Sequence, residues 1–195
     1  MSPREYERFN LISSEKRCRE YYLGRMAAKK ALIELDSSLK LSEISIVNER
    51  SGYPAIENSN YCVSITHTNE IAASLVFPKE FSLGIDIEDI KRSENIKRII
   101  TESVPNTPEF LTAAWTLKES LSKALKCGFS KPTNVFELSA LTKEDNFFVC
   151  LYKQHSDFQG IAVVHGPYLL AITYPKSLES TEMLSLMKKT SSGQV

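Results

Sequence analysis

The chain has 195 residues, 42% of them hydrophobic, and its 24 basic and 24 acidic residues cancel to a formal net charge of zero. That length accommodates one large domain or two small ones sharing a core. The charge balance leaves no global field to attract nucleic acid, so any anion must be bound by local clusters. No run of 18 apolar residues appears, and the first residues lack the apolar core of a signal peptide. Cys18, Cys62, Cys127 and Cys150 are scattered and form no CxxC pair. They read as reduced thiols rather than a disulfide frame or zinc site. The expectation is a cytoplasmic protein with no membrane contact.

In chain order, a long helix is predicted from Ser14, a plausible N-cap, to Leu35, where Asp36-Ser37-Ser38 ends the pattern. Arg25 and Lys29 lie one turn apart on it. Strands follow near 43–47, 61–66, 70–77 and 81–88, with a turn at Ser51-Gly52-Tyr53-Pro54. The strand at 61–66 runs into a loop carrying Ser64, Thr66, His67 and Thr68. In the strand ending at Glu88, Ile85 and Ile87 face one way and Asp86 and Glu88 the other. Side chains two apart on a strand are roughly 6.5 Å apart along it. An Asp and a longer Glu at that spacing can reach one ion, and oxygen-only ligands suit Mg²⁺. Gly84, just before the pair, lets a ligand or another backbone come close.

A short helix is predicted from Ser93 to Ile100, within a segment holding Lys91, Arg92, Lys97 and Arg98. Pro105 and Pro108 then interrupt the chain. A second major helix covers Trp115 to Leu125. Its apolar stripe is Ala114, Leu117, Leu121, Ala124 and Leu125; Trp115, Glu119, Ser122 and Lys123 fall opposite, with Lys118 alongside. Strands near 135–139, 146–152, 159–164 and 167–174 follow, then a tail from Lys176 with a possible helix at 178–187. Residues 21–32 align without gaps to 114–125, pairing Tyr22 with Trp115, Arg25 with Lys118 and Lys30 with Lys123. The predicted fold is α+β: two units, each a long helix on a small, mostly antiparallel sheet, related as a pseudo-two-fold duplication. The expected boundaries are 1–88, 89–175 and a tail at 176–195.

Gly84-Ile85-Asp86-Ile87-Glu88, followed by Trp115-x-x-Lys118-Glu119-Ser120-x-x-Lys123, resembles in order and spacing the two signature motifs of the 4′-phosphopantetheinyl transferases. The likeness is to the two-lobed, surfactin-type branch and spans roughly residues 20–126. It implies transfer of the 4′-phosphopantetheine arm of coenzyme A to a serine of an acyl or peptidyl carrier protein, releasing 3′,5′-ADP. It further implies Mg²⁺ held by Asp86, Glu88 and Glu119. Glu119 is the first candidate for general base, and Lys123, with Lys118, adds positive charge at the pyrophosphate. The Gly-Arg-x-x-Ala-x-Lys pattern that begins at Gly24 resembles the family's basic helix, whose cations hold the coenzyme's 3′-phosphate, the role this implies for Arg25 and Lys29. Ser64-Ile65-Thr66-His67-Thr68 resembles the family's Asn-x-Ser-His-Ser, so Thr66 and His67 become phosphate contacts.

Two departures stand out. Tyr53 occupies the place of a family lysine in Gly-Lys-Pro, and Ser64 the place of an asparagine. They motivate an alternative, a non-catalytic carrier- or coenzyme A-binding homologue, against which the complete carboxylate trio argues. A third reading, a structural α+β interaction module, predicts no coenzyme binding. No GxxxxGK[ST] appears, which argues against a P-loop enzyme. A monomer is expected, because both halves of a fused pair share one chain. The basic segment at 91–98 is the expected docking side for an acidic carrier.

Overall fold

The computed structural model describes residues 1–49, 52–128 and 133–178. The chain divides into two compact units, Met1–Phe81 and Ser82–Val195. In the first, α1 (Pro3–Asn10) and α2 (Glu15–Leu35) precede β1 (Ile46–Asn48), β2 (Pro54–Ile56), β3 (Tyr61–His67) and β4 (Ala72–Pro78). The strands form one antiparallel sheet in the order β1-β2-β3-β4. The cap foreseen at Ser14 is present, its hydroxyl accepting from the Arg17 amide, and Asp36 closes the helix. α2 lies on β3 and β4. Ala28 and Leu32 meet Ile44, Ile46, Ile56 and Val63 in a buried apolar cluster.

The second unit opens with β5 (Gly84–Asp89), a 3₁₀ turn (Ile90–Arg92) and α3 (Ser93–Lys97). Then come α4 (Pro108–Ala124), β6 (Leu138–Glu144), β7 (Phe147–Tyr152), β8 (Phe158–His165) and β9 (Tyr168–Pro175). Its antiparallel sheet has the order β5-β9-β8-β7-β6. α4 packs on β5, β9 and β8. Ala113, Ala114, Leu117 and Leu121 enter a core with Phe136, Phe148, Ala162, Leu169 and Ala171. Each unit thus contains a helix followed by a four-strand antiparallel run, the α+β organisation expected from the sequence.

Several expectations are corrected. The strand ending at Glu88 belongs to the second sheet, where Asp86 pairs with Ala171 and Glu88 with Leu169. The division therefore falls before Ser82 rather than after Glu88. β2 was not foreseen. Pro108 starts α4 instead of breaking the chain: it occupies the first turn, where a missing N–H costs nothing, and Thr107 caps it. The short helix ends at Lys97, with Ser93 and Ile96 buried and Lys91, Arg92, Lys97 and Arg98 exposed. Ser51 in the predicted turn, and the tail helix beyond Leu178, lie outside the described residues.

Each unit also encloses an ion pair. In the first, Lys29 Nζ sits 2.6 Å from Glu5 Oε2, both side chains fully buried. Glu5 also accepts from the Ser2 amide at 2.7 Å and the Ile46 amide at 3.0 Å. It thereby joins the N-cap of α1, α2 and β1. In the second, Lys118 pairs with Glu102, and Glu102 accepts from the Leu138 amide at 3.4 Å. Burial pushes both carboxyls up, but the lysine hydrogen bonds, the lysine charges and the backbone donors outweigh it and hold them below the ordinary glutamate value. A depressed folded value means that the unfolded chain binds more protons in acid. The stabilisation is therefore present above the unfolded value near 4.5 and is lost as pH falls through the folded value.

Breaking one such pair leaves a buried charge without a partner. Lys118→Met is expected to destabilise the protein by about 3–5 kcal/mol in urea unfolding at neutral pH. The difference from the parent shrinks toward pH 4, where the stranded Glu102 can take up a proton. A cost below about 0.5 kcal/mol, the size expected for a surface lysine, would show that the pair is not buried in solution.

Candidate active site

The second unit builds its site from the way α4 lies on the sheet. Gly84, Asp86 and Glu88 share one face of β5 by the two-residue alternation of a strand. α4 covers that face at Gly84: a Cβ there would overlap the Ser120 carbonyl oxygen and stand 2.6 Å from the Ala124 nitrogen. Across the sheet Gly84 pairs with Thr173, and Thr173 with Gly160. This row of small residues seats the helix. A Cβ at Gly160 would lie 2.6 Å from Leu117 Cδ2 and 2.6 Å from Tyr152 Oη. Ser120 Oγ and Thr173 Oγ1 share a hydrogen bond of 2.6 Å, and Tyr152 Oη lies 2.5 Å from the same Thr173 oxygen while donating to the Leu117 carbonyl at 3.0 Å. The hydroxyls close the seam without leaving a buried polar atom unpaired.

Held this way, α4 directs Glu119 and Lys123 to the carboxylates of β5. Lys123 Nζ is 2.7 Å from Asp86 Oδ1. Arg92 Nη1 reaches both oxygens of Glu88, at 3.0 and 2.8 Å, and the Asp89 amide donates to the same carboxylate. Burial raises the Glu119 carboxyl, the charges of Asp86 and Glu88 add to the rise, Lys123 and Arg92 oppose it, and the net is a value pushed up to about 7. Burial raises Glu88 as well, against the pull of the Asp89 amide and Arg92. Among the described residues no group of three His, Cys, Asp or Glu side chains is arranged to hold an ion as it stands. The donors are nevertheless all oxygen, the chemistry that suits a hard divalent cation, and the repulsion from Asp86 and Glu88 that adds to burial in lifting Glu119 is what a cation would relieve.

The first unit carries a cleft of about 440 Å³ lined by cations: Arg8, Arg17 and Arg25, with His67, Tyr21 and Glu20 among the other walls. Arg25 is held by three contacts. Nε donates to the Ile46 carbonyl at 3.2 Å, Nη2 donates to Asn48 Oδ1, and the guanidinium lies 4.4 Å above the centre of the Tyr21 ring. His67, at the end of β3, has Nδ1 4.0 Å from Glu20 Oε1. A preorganised arginine beside two others and an imidazole is suited to an anion such as phosphate.

Two family models match the chain. One, described as the 4′-phosphopantetheinyl transferase superfamily, covers residues 82–173; the other, the 4′-phosphopantetheinyl transferase N-terminal domain, covers residues 8–77. Each falls within one of the two compact units. The chain belongs to the 4′-phosphopantetheinyl transferase superfamily. No match to a curated protein is found.

In this phosphopantetheinyl transferase the predicted site residues are sorted unevenly. Asp86, Glu88, Glu119 and Lys123 are brought together in the second unit, and Arg25 and His67 in the cleft of the first. Lys29 and Lys118, expected at phosphates, are interior instead, at 0% and 1% exposure, each spent on a buried glutamate. Thr66 is buried and is not among the residues lining the cleft. Ser122, expected on the polar face, is buried with its hydroxyl donating to the Glu119 carbonyl at 2.9 Å. Tyr53 is half-buried at the start of β2, its carbonyl accepting from the Glu49 amide at 2.8 Å. Reading motifs alone missed Arg8 and Arg17 and placed Arg92 in the basic docking segment rather than on Glu88. The available signal was the charge of Arg8 and Arg17 ahead of and within the start of α2, and the four-residue spacing from Glu88 to Arg92.

Gly84 has no room for a side chain, so Gly84→Ala is expected to lift α4 from β5. The cost should reach about 1–3 kcal/mol in denaturant unfolding, the range for overpacking. An unchanged midpoint would mean that the helix does not sit this close.

Proposed function

We propose that this transferase moves the 4′-phosphopantetheine group of coenzyme A to a serine hydroxyl of an acyl or peptidyl carrier protein, with Mg²⁺ as its metal. The observation that supports this best is the convergence of Asp86, Glu88, Glu119 and Lys123 in a chain of this superfamily. The serine oxygen forms a bond to the phosphorus that carries the pantetheine arm. The bond from that phosphorus to the bridging oxygen breaks, and 3′,5′-ADP leaves with the bond's electron pair. Glu119, which lies among Asp86, Glu88 and Lys123, accepts the serine proton. Asp86, Glu88 and Glu119 would hold Mg²⁺, which when bound supplies positive charge to the pyrophosphate. Lys123 adds charge to the same group.

The first unit contributes the anion cleft, where Arg25 and His67 bind the 3′-phosphate. The exposed Lys91, Lys97 and Arg98 give an acidic carrier a complementary surface. Four free cysteines fit a cytoplasmic setting, and a chain carrying both contributions can act as a monomer. Among the described residues no helix is long and apolar enough to cross a membrane.

Incubating the protein with coenzyme A, Mg²⁺ and several apo carrier proteins, then weighing the carriers, tests the reaction. One phosphopantetheinyl group should be added per carrier. Asp86→Ala, Glu88→Ala and Glu119→Ala should each lower the rate by about 100-fold or more while the fold is kept. Near-normal Mg²⁺-dependent activity in Glu119→Ala would remove α4 from the site.

Binding separates the role of the first unit. Arg25→Ala should weaken coenzyme A by about 1.5–3 kcal/mol, the value of one charge-assisted contact. In isothermal titration, dephospho-coenzyme A should lose less. Equal losses for both ligands would exclude Arg25 from the 3′-phosphate.

A further inference from the structure

Arg92 lies outside both signature motifs, yet it is in direct contact with the carboxylate cluster. A single nitrogen, Nη1, contacts both oxygens of Glu88, at 3.0 and 2.8 Å. A cation placed against both oxygens of a carboxylate neutralises it in the manner of a bidentate metal. The base of Arg92 is fixed. Asp89 caps the 3₁₀ turn through the Lys91 amide at 2.9 Å, Ile90 packs on the core, and Ser93 is buried at 5% exposure. The tip is not fixed in the same way: the Arg92 side chain is 62% exposed, against 10% for Glu88. Rotation about side-chain bonds alone can carry the guanidinium into water while the carboxylate stays in place. Lys123 on Asp86 differs, being only 23% exposed and rooted in α4.

We propose that Arg92 is a built-in stand-in for the divalent cation at Glu88. It neutralises the carboxylate while the metal is absent and competes with the metal for the same oxygens, so it tunes metal affinity without being a ligand. The inference rests on the reading of Asp86, Glu88 and Glu119 as the metal ligands. Its cost is low, since an ion pair with one exposed partner is weak and readily exchanged. Displacement also returns a free guanidinium to the exposed basic segment beside Lys91. A positioning role for Arg92 predicts the opposite sign. If the arginine only orients Glu88, its removal weakens the metal.

The test is a Mn²⁺ titration followed by electron paramagnetic resonance, at low salt and without coenzyme A, on the parent, Arg92→Gln, Arg92→Lys and Lys91→Gln. Thermal melting of each verifies the fold. Arg92→Gln is expected to bind Mn²⁺ about threefold to tenfold more tightly than the parent, through loss of both the competing pair and a like charge. Arg92→Lys keeps the charge but loses the planar fork, so its affinity should fall between those of the parent and Arg92→Gln. Lys91→Gln removes the same charge outside the pair and should move the affinity less than Arg92→Gln does. Equal or weaker binding by Arg92→Gln, with the parent binding normally, overturns the stand-in role and leaves the metal reading intact. Absence of binding by parent and variants alike overturns both. Should Arg92→Gln fail to fold, tighter binding by Arg92→Ala supports the stand-in, and unchanged binding overturns it.

Discussion

The close seating of α4 on its sheet is the constraint from which the second unit's chemistry follows. Gly84, Thr173 and Gly160 form a row of small side chains across three neighbouring strands, and the helix backbone settles onto it. Close approach has a local cost, because backbone and hydroxyl groups are taken from water. The Ser120, Thr173 and Tyr152 hydroxyls meet it by bonding to one another and to the Leu117 carbonyl. With that distance set, Asp86 on the strand and Lys123 on the helix can meet at 2.7 Å. The same packing brings Glu119 into a region partly withdrawn from water beside two further carboxylates. Its raised value is thus a product of where the helix rests, not of any feature of Glu119 itself.

The two interior lysines show the same logic applied to stability. Lys29 and Lys118 each bring a long side chain into an apolar setting, and each is tolerated because a glutamate already held by backbone amides receives it. Those glutamates come from segments that need tethering. Glu5 belongs to the first helix, which it joins to α2 and β1, and Glu102 to the connection between α3 and α4. Charge in these units is therefore used in two distinct ways. Some pairs staple the chain together, and others lie within the carboxylate cluster of β5 and α4.

Much of this was legible from residues. The alternation at Ile85, Asp86, Ile87 and Glu88, with the four-residue step from Glu119 to Lys123, carried the carboxylate site. The periodicity and the Ser14 cap carried α2, and periodicity carried α4 from Trp115 onward but not its start at Pro108. What failed were statements that local pattern cannot make. A strand's own sequence does not say which sheet it joins, and β5 was assigned to the wrong unit for that reason. β2 has three residues and begins with proline, so it reads as a turn. Lys29 and Lys118 were placed at phosphates by the family resemblance, and a motif does not say whether a lysine is already paired in the interior. Their partners, Glu5 and Glu102, are 24 and 16 residues away in sequence, beyond the reach of any helical spacing rule.

α4 presents neighbouring residues to unlike surroundings: Lys118 points into the interior toward Glu102, while Glu119 and Lys123 point to Asp86 and Glu88. One extra residue inside the helix would turn everything after it by about 100°. An insertion between Lys118 and Glu119 would leave the interior pair intact but rotate Glu119 and Lys123 off the carboxylates and Ser120 off its seat. One placed earlier would also expel Lys118. The helix is in effect a keyed shaft, with a phase set at two levels at once. Length variation among related chains should therefore collect outside it, as in the connection at 98–107, where an added residue changes the path but not the phase.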